Sequence, residues 1–202
     1  MQLGTHLQEI PDDKIIWQRF LAGEVEAFDH LMTTHFRTLF SYGSKFSKDK
    51  EFVKDHIQDL FLILWERRQN LSGDIAVKPY LMASLRRLMH RSTMSKPQLA
   101  ESSVEEINGN FDIEFSVEEE YIENESTLVI TQKLKKLLDE LPQRQKEVVY
   151  LKFFQEMDRS QISEVMNISP QTVSNLLQIA IKQLKKHWKA EFFTLLMVQF
   201  FI

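Results

Sequence analysis

The chain carries six histidines, His6, His30, His35, His56, His90 and His187, and no cysteine. A histidine pair that holds zinc from one helix needs the spacing H-E-x-x-H, and none of the six shows it. His30 and His35 stand five apart and point off any single face. Asp55 and Asp59 share a helix face, but His56 lies beside it. There is no Gly-rich phosphate loop, no G-x-S-x-G turn and no cysteine nucleophile. The residues therefore offer no catalytic set and no metal set; no cofactor is expected, and the chain is not expected to be an enzyme. The side chains with a legible task are of another kind. Ser169, Gln171, Thr172, Ser174, Asn175 and Gln178 are short hydrogen-bonding residues close together, followed by Lys182, Lys185, Lys186 and Lys189. Amides and hydroxyls reach base edges and phosphate oxygens, and lysines neutralise phosphates.

Such residues need a rigid element to present them, and the local sequence supplies one. Asp158 can cap a first helix through Gln161, Ile162, Val165 and Met166. Asn167-Ile168 makes the turn. Ser169 is then an N-cap, with Pro170 at the first helical position, where its missing N–H costs nothing. Val173, Leu177, Ala180, Ile181 and Leu184 recur at three- and four-residue steps and give the second helix a buried face. Two helices joined by a tight turn, the second ending in lysines, have the layout of a helix-turn-helix that reads the DNA major groove.

A second patterned stretch runs from Asp55 to Trp65. Ile57, Leu60, Phe61 and Leu64 form a core stripe, while Asp55, Gln58, Asp59 and Leu62 form the other side. An apolar residue among acids and an amide on an outer face suits a partner interface. A solvated face with one stray leucine accounts for the same pattern.

With 5 Gly, 5 Pro and long stretches of 3.6 periodicity, the chain reads as all-α. Helices are expected over 13–22, ended by Gly23, then 24–42, 50–68, from Pro79 to about 92, 128–139 and 143–154. Residues 71–78 read as a loop around Ser72-Gly73-Asp74. Net charge is −4, but its distribution is uneven. Residues 14–96 hold 14 Lys and Arg against 9 Asp and Glu, residues 97–127 hold none against 10, and residues 128–189 hold 11 against 6. Two basic regions thus flank an acidic connector. The expected organisation is two small helical domains, an N-terminal bundle over 13–96 and a C-terminal helix-turn-helix domain over 128–189. An acidic linker over 97–127 joins them, and an apolar tail over 190–202 follows. The absence of cysteine and of a signal segment points to the cytoplasm, and the apolar end FFTLLMVQFFI is too short to span a bilayer, so no direct membrane insertion is expected.

The motif D-x-x-Q-D-x-F-x-x-L-W, Asp55 to Trp65, resembles the helix by which bacterial sigma factors grip the RNA polymerase clamp. Gly23 to Leu31 resembles the family's first helix junction, and Tyr80-Leu81 with Arg86-Arg87 resembles the part that handles the −10 promoter element. The helix-turn-helix resembles the domain that reads the −35 element. Order and spacing match the compact extracytoplasmic-function (ECF) type, over residues 13–95 and 128–188. The resemblance implies a sigma factor that binds core RNA polymerase (clamp and flap regions) and promoter DNA, and that melts the −10 element. Its polymerase contacts would be Asp55, Gln58, Asp59, Leu62 and Trp65. Its −10 contacts would be Lys78, Tyr80, Arg86, Arg87, His90 and Arg91, with Arg86, Arg87, His90 and Arg91 as one basic stripe. Its −35 contacts would be Ser169, Gln171, Thr172, Ser174, Asn175, Gln178 and Lys182. Residues 74–79 stand where the family has its loop for a flipped-out base. Leu176 and Ile179 stand where the family usually carries basic residues, and both are expected outward or sideways. They and the apolar tail suggest that the tail folds back or is covered by a regulator such as an anti-sigma factor. A helix-turn-helix transcription regulator that is not a polymerase subunit is the alternative, and it leaves Asp55–Trp65 without a role.

Overall fold

The computed structural model describes residues 12–94, 111–112 and 134–187. All regular structure among them is helical. The N-terminal region holds α1 (Asp13–Leu21), α2 (Val25–Gly43), α3 (Lys50–Arg67), a 3₁₀ turn (Arg68–Asn70) and α4 (Val77–Met94). The C-terminal region holds α5, described over 134–139, then α6 (Gln143–Phe153), α7 (Arg159–Met166) and α8 (Pro170–His187). The acidic linker is described only at Phe111 and Asp112, and the apolar tail lies outside the described residues.

Local chemistry sets the boundaries. Asp12 caps α1 through Lys14 N–H, and Asp49 caps α3 by accepting from Glu51 and Phe52 N–H. Gly23 turns the chain out of α1 with φ +92°, a conformation open to glycine at no steric cost, and its N–H donates to Phe20 C=O at 2.9 Å. The loop expected over 71–78 is shorter than its composition implied. Helix α4 starts at Val77, so Pro79 is its third residue rather than its first. Proline is tolerated there because the first turn's N–H groups have no intrahelical acceptor. Burial of Val77 explains the early start.

Helices α2, α3 and α4 pack on one another, and α1 caps them against α2. Their interior is Trp17, Phe20, Leu39, Tyr42, Ile57, Leu60, Leu81 and Leu85, all essentially inaccessible to water. At roughly 25 cal/mol per Å² of apolar surface, each large side chain so buried contributes about 1.5–3 kcal/mol. In the C-terminal region α8 lies across α6 and α7, joined through Val148, Leu151, Ile162, Val165, Val173 and Ala180. The two regions are not separate bodies joined by a string. Helix α7 lies along α4, and one hydrophobic cluster runs through both regions.

Candidate nucleic-acid interface

The C-terminal helix-turn-helix is built as its sequence requires. Asp158 and Gln161 form a reciprocal capping box: Gln161 N–H donates to Asp158 Oδ1, and Asp158 N–H to Gln161 Oε1, both at 2.9 Å. Asn167 ends α7 in the left-handed conformation, φ 52°. Ser163 clasps the turn, donating its hydroxyl to Ile168 C=O at 2.6 Å while Ile168 N–H returns to Ser163 C=O. Ser169 then caps α8 by accepting from Thr172 N–H at 3.1 Å, and its hydroxyl meets the Thr172 hydroxyl at 2.9 Å. Gln171 Nε2 donates to Asn175 Oδ1 at 3.1 Å, and Ser174 to Pro170 C=O at 3.2 Å. Gln171, Asn175, Gln178 and Lys182 are exposed, and Thr172 and Ser174 are half-buried. All seven expected −35 residues thus lie along one helix and its cap. Leu176 points sideways, half-buried against the core, and Ile179 faces outward, 48% exposed.

On α3 the two faces separate as read. Ile57, Leu60, Phe61 and Leu64 are buried, while Asp55, Gln58, Asp59 and Leu62 are exposed, Leu62 at 61%. Trp65 does not join that face. Its ring packs on Phe28 and Phe20, with centroids at 5.0 and 6.4 Å, and carries the Arg68 guanidinium 4.4 Å from its centroid. It positions the helix instead. His56 is likewise structural, bridging α3 to α4 from Nε2 to the Ser92 hydroxyl at 2.6 Å, with Nδ1 against Phe52 C=O at 2.7 Å.

The basic stripe expected on α4 is broken up. Arg87 is exposed and Arg91 remains at the surface. Arg86 turns away from solvent: its Nε donates to Glu147 Oε1 at 2.8 Å and its Nη2 to Glu147 Oε2 at 3.2 Å. Glu147, on α6, is 2% exposed and also accepts from the Tyr42 hydroxyl at 2.7 Å. Burial pushes the Tyr42 phenol well up, so it keeps the proton it donates. The carboxylate holds the Arg86 guanidinium above its usual value against the opposing effect of burial. His90 sits against the Phe46 ring, centroids 5.7 Å apart, and burial, seconded by Arg86, pushes its imidazole down. It is thus held neutral and adds no charge to the stripe. Lys78 lies in the first turn of α4 rather than in a loop, and its Nζ donates to Gln155 C=O at 3.0 Å. Burial lowers its pKa from the ordinary lysine value.

Tyr80 is half-buried, its ring edge-on to Trp17 at 5.7 Å. It lines a cleft of about 340 Å³ between α3 and α4, together with Arg67, Leu71, Ser84, Arg87 and Arg91. An aromatic ring and three guanidinium groups around an apolar floor suit a base with its phosphate. The loop before α4 is held from α1. Trp17 Nε1 donates to Ser72 C=O at 2.9 Å and Gln18 Nε2 to Gly73 C=O at 2.7 Å. A Cβ on Gly73 would stand 2.7 Å from Gln18 Nε2, so glycine lets the two approach. These anchors, with Glu147 and Tyr42, were missed in the sequence. The indole N–H of Trp17 was the one available signal, since a buried donor needs an acceptor.

Among the described residues no helix is long and apolar enough to cross a membrane, and no group of three His, Asp or Glu could hold a metal ion. Residues 131–184 match the family model described as Sigma-70, region 4. No curated protein matches the chain. The fold is similar to that in the structure of CnrH in complex with the cytosolic domain of CnrY. That match has 18% identity and a TM-score of 0.57, and covers 86% of this chain and 95% of that one. A chain of the RsbN–BldN complex also matches at 18% identity over 85% of this chain and 99% of that one, with a TM-score of 0.35, too low to bear on the fold.

Proposed function

We infer that this chain, with Sigma-70 region 4 at residues 131–184, is a sigma factor of the ECF type. It binds core RNA polymerase and directs promoter-specific initiation. It is not an enzyme: it opens DNA by binding energy, holding unstacked bases and phosphates on a basic surface. The region 4 match is the single observation that carries the reading, because it falls on the helix-turn-helix whose polar face has the chemistry to read base edges. The two-region helical fold and the Asp55–Trp65 helix extend it to the whole chain.

In this reading the domains run as the charge pattern divides them, over 13–96 and 128–189, with the acidic segment 97–127 passing through basic channels of polymerase. The exposed face Asp55, Gln58, Asp59 and Leu62 meets the polymerase clamp, with Leu62 as the apolar contact among polar ones. Ser169, Gln171, Thr172, Ser174, Asn175, Gln178 and Lys182 meet the −35 element in the major groove. Lys78, Tyr80, Arg86, Arg87 and Arg91 meet the melted −10 strand, and the Tyr80 cleft offers a stacking surface there. The protein works in the cytoplasm. CnrH is held by the cytosolic domain of another protein. An anti-sigma factor is the corresponding partner for this chain in this reading.

Core polymerase pull-down followed by run-off transcription on genomic fragments tests the function and maps the promoters. Wild-type protein is expected to bind core and start transcripts at defined sites. Asp59→Arg with Leu62→Arg is expected to lose core binding while keeping its helical circular dichroism, since both side chains are exposed. A wild-type protein that never binds core sinks the reading in favour of a free-standing regulator.

A further inference from the structure

Packing accounts for most of the large apolar side chains. Even Phe111, from the linker, is 3% exposed and fills the seam between α2 and α6, with ring centroids 5.0, 5.7 and 6.2 Å from Phe46, Tyr150 and Tyr42. Ile179 is different. It is 48% exposed, and among the described residues it is the one large hydrophobic side chain of the C-terminal region left so open. Its position on α8 is what makes this informative. Asn175 stands four residues before it and Lys182 three after it, both exposed. Residues three and four apart share a helix face, so Ile179 sits among the side chains of the groove-reading face. Two turns earlier, the Thr172 hydroxyl is engaged by the Ser169 hydroxyl at 2.9 Å, and Leu176 between them is half-buried against the core. Ile179 is therefore the open apolar group of that face.

We propose that Ile179 determines one position of the −35 element, by packing its side chain on the C5-methyl group of a thymine in the major groove. The proposal rests on the −35 reading of α8 given above. The groove leaves one apolar partner. Thymine alone among the four bases carries a methyl group there, whereas cytosine presents its N4 amine at the corresponding edge. Isoleucine makes no hydrogen bond, so against cytosine it strips water from a donor and returns nothing. Against thymine the same contact takes two apolar surfaces out of water. Discrimination thus has an attractive part, for thymine, and a repulsive part, against cytosine. The residue type suits the task. Branching at Cβ leaves isoleucine one strongly preferred χ1 rotamer in a helix, so little side-chain entropy is lost on contact. The turns before it are held by their own bonds, Thr172 N–H to Ser169 Oγ at 3.1 Å and Gln171 Nε2 to Asn175 Oδ1 at 3.1 Å, so the side chain is presented from a fixed frame.

Deoxyuridine in place of thymidine removes that methyl group and nothing else, which makes the test direct. In a promoter mapped by run-off transcription, each thymine of the −35 element, on either strand, is replaced in turn. Affinity for the full chain bound to core polymerase is read by competition against a labelled promoter. One position is expected to weaken by about three- to fivefold, the effect of burying a single methyl group. Cytosine at that position is expected to cost wild-type protein at least about fivefold. Ile179→Ala puts a strong helix former at an exposed site, so its circular dichroism is expected to match wild type. It is expected to bind thymine and deoxyuridine equally at that one position, to tolerate cytosine there better, and to leave the other positions as they are. A wild-type protein with no methyl effect anywhere in the element overturns the proposal. So does a methyl effect that Ile179→Ala leaves unchanged, or a −35 element with no thymine on either strand. Failure of the −35 reading shows separately and takes the proposal with it: scrambling the whole element then leaves wild-type binding unchanged.

Discussion

Removing one oxygen atom, in Tyr42→Phe, tests whether the polar seam holds the molecule together. The Tyr42 side chain is wholly buried and its hydroxyl donates to a carboxylate at 2.7 Å. Phenylalanine keeps the ring, and with it the contacts to Phe46 at 5.0 Å and Tyr150 at 6.2 Å, so the apolar contribution is unchanged. A hydrogen bond to a charged group contributes about 1.5–3 kcal/mol. Glu147 keeps both bonds from Arg86, so the carboxylate is not orphaned and the loss belongs at the low end, about 1.5–2 kcal/mol. For a chain of this size that is a fall of about 3–8 °C in midpoint. Urea unfolding followed by tryptophan fluorescence gives the free energy, and an unchanged m-value would show that the denatured state is not the cause. The double mutant with Glu147→Gln separates the pair from its surroundings, with an expected coupling of about 0.5–2 kcal/mol. A single-mutant loss under about 0.5 kcal/mol, with no coupling, refutes the reasoning and leaves the seam held by Phe111 and the apolar cluster alone.

Acid should loosen the fold through His35 and His90, both pushed below the ordinary value of 6.5 mainly by burial. The unfolded chain then binds more protons, so their contribution is complete above about 6.5 and declines as pH falls below it toward the folded values. Urea midpoints at pH 7.5, 6.5 and 5.5 should fall in that order, and His35→Gln should flatten the trend. Lys182→Ala should weaken −35 duplex binding about equally for all sequences and reduce the slope of log affinity against log salt by about 0.9, read by anisotropy titrations. Gly43→Ala places a Cβ 2.7 Å from Val53 Cγ1, a fully buried methyl. Overpacking of about 1–3 kcal/mol outweighs a helix-propensity gain of at most about 1 kcal/mol, so chemical denaturation should show net destabilisation, relieved by Val53→Ala.

What could be read from the residues was what local chemistry decides. The Asp158 cap, the Asn167 turn, the Ser169 cap and the core stripe of α3 each depend on neighbours a few positions away, and each stands as its spacing implied. The α4 stripe is interrupted for the opposite reason. Arg86 lies 61 positions from Glu147 and Lys78 lies 77 from Gln155, and no periodicity reports such a meeting. Glu147 was itself invisible, because a carboxylate beside Val148 and Val149 becomes a core residue only when a second region covers it. For Trp65 the resemblance marks a position as belonging to a motif without saying which way its ring turns. Pro79 misled by a local rule applied too tightly, since proline is tolerated through the first turn and not only at its first residue.

The seam made by Arg86, Glu147 and Phe111 joins parts of one chain, and this fixes how it responds to its surroundings. Dilution cannot open it, and raising the protein concentration cannot close it. What it imposes is a fraction: if one molecule in about a hundred is open, every ligand of the covered surface binds about a hundredfold more weakly than its contacts alone would give.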